Sequence, residues 1–250
     1  MSLRGSMCRY GRAAGLPLLA CILVILGLGV GCEGRRKADD SLLTGTPCAP
    51  PCWGGIIPGE SDEEQVLQAL KDSALVRADT IHSRPQEERG KPLTEIEWSG
   101  WAKYPSKLFL HNNRVLRIDI YLDQGPTLGQ IVERYGPPER VEASLAYPPL
   151  YSVVLDYPAH GLTVISHHYP EELPPFSSSR SFQERFLVDD RAGKLEEAFR
   201  VTWATYYAPT TLRAALRDVF HFSAEDVEES VAQAYPWHGF GQVPLSQAGR

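Results

Sequence analysis

Ser61-Asp62-Glu63-Glu64 and Thr127-Leu128-Gly129-Gln130 each set a hydroxyl side chain three residues ahead of Glu or Gln. That spacing closes a capping box, which satisfies backbone N–H groups that a helix start leaves open. The first predicts a helix with Asp62, Glu63 and Glu64 at the positive end of its dipole. Its apolar stripe is Val66, Leu67, Leu70 and Ala74. The second predicts a helix with Leu128, Ile131, Val132 and Tyr135 on one face, stopped by Gly136-Pro137-Pro138. Alternating apolar and polar stretches succeed each helix. Thr94–Trp101, Lys107–His111 and Arg114–Leu122 come after the first, with Asn112-Asn113 as a tight turn. Leu116, Ile118 and Ile120 then share one strand face. Tyr151–Tyr157, Leu162–His168, Phe182–Val188 and Phe199–Tyr207 come after the second. Arg77–Lys91 and Glu171–Ser181 read as loops. Two short helices close the chain, one with the stripe Leu212, Ala215, Leu216, Val219 and Phe220, the other capped by Ser223 with Asp226. A helix laid on an antiparallel sheet buries both apolar faces. The expected fold class is therefore α+β, with helices packed on antiparallel sheets in two tandem modules, 52–124 and 125–241, and 242–250 as a tail.

Residues 1–31 stand apart from that fold. Arg4, Arg9 and Arg12 precede an uncharged run from Ala13 to Gly31 that ends in small residues before Cys32. This is the layout of an export signal. Cys32 is then the lipidated first residue of the mature chain. The alternative keeps the run as an uncleaved anchor, since about 18 apolar residues can span a bilayer. Both readings place the rest outside the cytoplasm, anchored to a membrane, with 32–51 as a flexible tether. The net charge is −6, and residues 1–31 hold three of the 25 basic residues and none of the 31 acidic ones. The mature chain from Cys32 onward is more acidic still, and Arg35-Arg36-Lys37 is its one basic run. Such a chain is a poor nucleic-acid binder and is not drawn to an anionic membrane by charge. Of the five cysteines, Cys8 and Cys21 lie in the signal, leaving Cys48 and Cys52 beyond Cys32. In an oxidising compartment this pair admits a structural disulfide or two reduced thiols. Redox activity is disfavoured, because no helix N-terminus comes directly after the pair to stabilise a thiolate.

Gly125-x-Thr127-x-x-x-Ile131-x-x-x-Tyr135-Gly136-x-Pro138, ahead of an aromatic-rich strand, resembles the signature of small outer-membrane assembly lipoproteins of the SmpA/OmlA type. Gly59-x-Ser61 with Val66 and Leu70 is similar to its first half. Two such modules in tandem look like the β-lactamase inhibitor protein fold. The segments Pro51-Cys52-Trp53-Gly54-Gly55-Ile56-x-Pro58-Gly59 and Pro236-Trp237-His238-Gly239-Phe240-Gly241 are similar to lipoproteins of bacteria such as the Chloroflexi. The resemblance covers about residues 52–170. It implies a protein-binding module in the cell envelope, with an envelope protein as partner and no catalytic residues.

The residues themselves point the same way. His160, His167 and His168 raise a metal site, but adjacent strand residues face opposite sides, so 167 and 168 do not readily share an ion. Ser166 lies within a strand and no Gly-x-Ser-x-Gly elbow exists. Asp189-Asp190 with Glu184 lacks the pattern of a calcium loop, and no Gly-rich phosphate loop occurs. No catalytic residue, metal or cofactor is expected. Trp98, Trp101 and Tyr104 are the candidate interaction surface. Trp98 and Trp101 have opposite strand parity, so one of them should leave the core unless a bulge intervenes. The alternative function is capture of a small molecule or glycan on the aromatic face.

Overall fold

Strand pairing carries the architecture. The strands are β1 (His82–Glu88), β2 (Lys91–Trp98), β3 (Ser106–His111), β4 (Arg114–Tyr121), β5 (Arg140–Ala146), β6 (Leu150–Tyr157), β7 (Leu162–His168), β8 (Ala192–Leu195), β9 (Trp203–Tyr207) and β10 (Gly241–Ser246). They form one ten-stranded sheet in the order β1-β2-β3-β4-β9-β7-β6-β5-β10-β8. Neighbours run antiparallel except β10, which lies parallel to β5. The computed structural model describes residues 40–100, 102–146, 150–168 and 192–246, all within one compact unit, Lys37–Arg250. The export signal, Cys32, Trp101 and the Phe182–Val188 strand lie outside the described residues. Among the described residues no helix is long and apolar enough to cross a membrane.

The expected α+β class is overturned. The fold is a single mixed sheet, mostly strand, with few short helices. Four strands escape a reading by hydrophobic alternation, each for a physical reason. The edge strand β1 is exposed along most of its length, so it needs no apolar face. Pro85 within it offers no N–H to a further strand. In β5 the residues opposite the core are Arg140, Glu142 and Ser144, and Arg140 and Ser144 are buried all the same. The strand β8 has only four residues. The expected tail instead supplies β10, which buries Val243 and makes the sheet mixed.

Helix starts obey cap chemistry closely. Thr127 caps Leu128–Tyr135 in a box with Gln130, and Ser223 caps Ala224–Ala232 with Asp226. For Glu63–Asp72 the cap is Asp62 with Gln65, one residue later than Ser61 with Glu64. Ser61 Oγ instead accepts from the Ile57 N–H at 3.0 Å. Val66, Leu70, Leu128 and Ile131 join one core cluster with Ile96, Trp98, Leu108, Ile118, Val153, Leu155 and Val164. Asn112 and Asn113 both take positive φ, 51° and 59°, and turn β3 into β4. A register shift between Phe109 and Leu110 leaves Leu116 without a cross-strand partner, so Val115 rather than Leu116 enters the core.

The tether ends earlier than expected. Ser41–Thr44 forms one helical turn, and Leu42 is 1% exposed within the core. The Tyr135 hydroxyl donates to the Leu42 carbonyl. Cys48 and Cys52 form a disulfide, with Cα atoms 5.6 Å apart. Leu42→Ala is accordingly expected to cost about 2–5 kcal/mol, the range for a buried leucine truncation. Urea melts check it; a loss within about 0.5 kcal/mol, typical of a surface site, would return residue 42 to the tether.

Candidate interaction face

Side chains alternate across a strand, so each strand sends one set to the core and the other to the second face of the sheet. Register lines that second set into rows. One row runs Lys107, Asp119, Thr205, Thr163, Asp156 and Arg140 across β3, β4, β9, β7, β6 and β5. The next runs Tyr121, Trp203, Ile165, Val154 and Glu142. The first row is ionic and buried apart from Lys107; the second is largely apolar and half-buried.

Charges in the ionic row are taken up by internal partners. Arg140 Nε donates to Asp156 Oδ2 at 2.6 Å, and Thr163 Oγ1 donates to Asp156 Oδ1 at 2.6 Å. Burial works against the Arg140 charge, but the Asp156 and Glu142 carboxylates outweigh it and hold its pKa above the ordinary value. Thr205 Oγ1 donates to Asp119 Oδ1 at 2.8 Å, and Arg117 Nε to Asp119 Oδ2 at 3.3 Å. Burial raises the Asp119 pKa, with Arg117 and Thr205 opposing it. Burial also raises the pKa of the Tyr207 hydroxyl, which lies 3.2 Å from Thr163 Oγ1. Arg140 and Asp156 are thus paired across adjacent strands at matching register positions.

The C-terminal helical segment covers one end of this face. Arg117 Nη1 donates to the Val219 carbonyl at 2.9 Å, and the Arg117 guanidinium sits 4.1 Å over the Phe109 ring. Tyr207 packs with Ala215, Val219 and Phe220. Arg89 donates to the His221 carbonyl at 3.1 Å and lies over the Phe222 ring at 4.7 Å. Burial and the nearby Lys91 charge pull the His221 pKa down, with the Glu88 carboxylate opposing.

The aromatic part lies toward the other end. Tyr104 is 52% exposed, the one large hydrophobic side chain left exposed among the described residues. Its ring lies 5.6 Å from Tyr121, and Tyr121 lies 4.5 Å from Trp203. Lys103 Nζ lies 5.2 Å from the Tyr104 ring. Of the expected surface residues, Tyr104 is at the surface. Trp98 is not: it is 2% exposed and stacks on Trp53 at 5.6 Å, in the core. Tyr121 escapes the sequence reading, and so does the face on which Trp203 lies. Alternation groups Trp203 with Phe199 and Val201 on one face, but the strand begins at Trp203, and Ala204 and Tyr206 face the core instead.

Among the described residues the histidines form no metal-holding group, and the His168 side chain is outside them. His160 is exposed beside Tyr135, at 5.5 Å between rings. His167 Nδ1 lies 3.1 Å from Thr202 Oγ1, and burial lowers its pKa. Ser166 Oγ donates to the Arg200 carbonyl at 2.7 Å, which commits it to the backbone. Among the described residues no group of three His, Cys, Asp or Glu side chains is placed to hold a metal; Glu184, Asp189 and Asp190 lie outside them. No family model, curated protein or solved structure matches the chain.

Proposed function

We propose that this chain is an exported, lipid-tethered module that binds a protein partner in the cell envelope through the Tyr104–Tyr121–Trp203 ladder, without chemistry of its own. The observation that supports it is the exposed Tyr104 ring, backed by two further aromatic rings in contact. Tyrosine and tryptophan dominate interface hot spots, because they bury large area while keeping a polar handle. Adjacent rings are tilted by 50° and 38°, so they offer a ridge rather than a flat stacking platform for sugars. The resemblance around Gly125-x-Thr127 to assembly lipoproteins points the same way. The ionic row favours a stiff scaffold, since its charges are spent on one another.

The test uses the full chain in bacterial envelopes. A photo-crosslinking residue at position 104 is expected to give a discrete protein adduct, and one at Glu225, on the C-terminal helix, is expected to give none. Tyr104→Ser should weaken recovery of that partner by about tenfold or more, as loss of a hot-spot side chain does. In the same cells Cys32→Ser should abolish labelling by a fatty-acid probe. Equal adducts at 104 and 225, or undiminished recovery with Tyr104→Ser, would remove the ladder as the binding surface. Retained labelling would remove the lipid tether.

A further inference from the structure

His221 sits where the C-terminal helical segment, 212–232, turns between its pieces Ala215–Val219 and Ala224–Ala232. Its φ is 55°, a left-handed conformation uncommon for any side chain but glycine's. The side chain is 3% exposed, and its Nδ1 has no hydrogen-bond partner among the described residues. Glu88 Oε2 of β1 lies 4.0 Å from that nitrogen, but the same oxygen is 3.0 Å from Arg117 Nη2. Lys91 of β2, His111 of β3 and Arg117 of β4 also face the ring from the sheet, and Asp218 faces it from its own segment. Arg89, in the turn between β1 and β2, donates to the His221 carbonyl at 3.1 Å and pairs with Asp226 at 3.5 Å.

A neutral imidazole suits this place and an imidazolium does not. Arg89, Lys91 and Arg117 lie around it, and the Glu88 carboxylate is already engaged by Arg117. A proton on the ring would add a charge, cut off from water, among those cations. The segment's other ties to the sheet are few in kind. Arg117 donates to the Val219 carbonyl, Arg89 to the His221 carbonyl, and Ala215, Val219 and Phe220 pack on Tyr207. Leu212, Leu216 and Val227 form a cluster of their own, apart from the main core, so lifting the segment need not break it. We propose that His221 is an acid-sensitive latch, whose protonation lifts the 212–232 segment and uncovers Phe109, Arg117 and Tyr207 beneath it. Burial and the Lys91 charge pull the His221 pKa below its ordinary value, so the docked state holds the proton less well than the released one. Docking is therefore at full strength above about pH 6.5, the ordinary histidine value, and weakens as pH falls through it, until the docked ring also takes up the proton. Asp218 and Asp226, held below the ordinary carboxylate range by hydrogen bonds from Arg217 and Ser223, stay charged throughout this window.

The test is amide hydrogen exchange of the full chain in detergent micelles, at about pH 7.5 and about pH 5, with the intrinsic rate at each pH divided out. Protection of the 212–232 amides should fall by at least about threefold on acidification, while that of Leu162–His168, inside the sheet, stays level. Uptake of one proton caps the fall at about tenfold per pH unit. His221→Asn does not titrate and tolerates a positive φ, so it should hold the segment's protection level between the two pH values. Absence of a selective fall in the unaltered chain, or an equal fall in His221→Asn, would overturn the proposal; the second result would pass the effect to another group, such as His111. Should His221→Asn leave the segment undocked at both pH values, Lys91→Met decides. A smaller acid loss than in the unaltered chain supports the latch, and an undiminished one overturns it. The Tyr104 ladder lies toward the other end of the face, so failure here leaves the proposed partner binding untouched.

Discussion

Gly161→Ala is expected to cost more than about 4 kcal/mol, at the extreme of single substitutions. Gly161 ends the turn between β6 and β7 at φ +61°, in the left-handed region, where a side chain alone costs about 1–2 kcal/mol. Space makes the larger part. A Cβ there would stand 1.9 Å from the Tyr207 carbonyl oxygen and 2.9 Å from Pro51 Cβ. The Tyr207 N–H donates to the Gly161 carbonyl at 2.9 Å, so the clash falls on a backbone contact that cannot swing aside. Relief would pull the end of β9 from the β6–β7 turn and disturb the Tyr207–Thr163–Asp156 chain of contacts. Gly136 is the control, at φ +79° with nothing within 4 Å of an added Cβ. Gly136, at ψ −169°, lies in a region nearly confined to glycine, so Gly136→Ala should show a conformational cost alone, about 1–3 kcal/mol. Urea melts of both variants decide it. Equal losses would mean that β9 yields freely to the turn, and that this contact does not hold the sheet together.

The same contacts explain which parts of the molecule could be read from the chain. Cap chemistry is local, so Thr127 with Gln130 and Ser223 with Asp226 mark true helix starts. The Glu63–Asp72 helix starts one residue later than its sequence signal because Asp62 can also cap, and Ser61 is drawn to the Ile57 N–H. Strands with one apolar face, such as Leu162–His168, are legible with their bounds. The second face is not, because its burial depends on pairing between strands distant in sequence. Arg140 and Asp156 look like surface residues until register places them opposite each other. Trp98 looks like a binding residue until Trp53, from the approach to the first helix, stacks on it. Leu42 looks like tether until the Tyr135 hydroxyl reaches its carbonyl. Gly125, part of the Gly-x-Thr pattern, has a steric reason visible only in three dimensions: a Cβ there would meet the Val201 carbonyl oxygen at 2.1 Å. Tyr104 is legible as an exposed aromatic, but its companions Tyr121 and Trp203 depend on the pairing of β4 with β9.

Asp156→Ala is expected to destabilise the fold by about 3–5 kcal/mol, the loss typical of breaking one side of a buried ion pair. Asp156 is 3% exposed and Arg140 is 6% exposed, on adjacent strands at the same register position. Removing the carboxylate leaves the Arg140 guanidinium buried, with Glu142 Oε2 at 3.3 Å as its remaining carboxylate, and that group is 35% exposed. It also strips the Asp156 acceptor from Thr163 Oγ1, leaving the Tyr207 hydroxyl 3.2 Å away as its side-chain partner. The loss therefore measures an orphaned charge more than the worth of the bond. Two further variants separate these. Arg140→Met alone should cost less than Asp156→Ala, since it leaves a carboxylate that Thr163 still satisfies. Arg140→Met with Asp156→Leu should recover much of the loss, because an apolar pair of similar volume carries no desolvation penalty. A double-mutant cycle by urea melts reads the coupling directly. If Asp156→Ala and Arg140→Met each cost under about 1 kcal/mol and add without coupling, the row is a solvated surface feature. The second face would then lose its role as the stiff support beneath Trp203 and the exposed aromatic ladder.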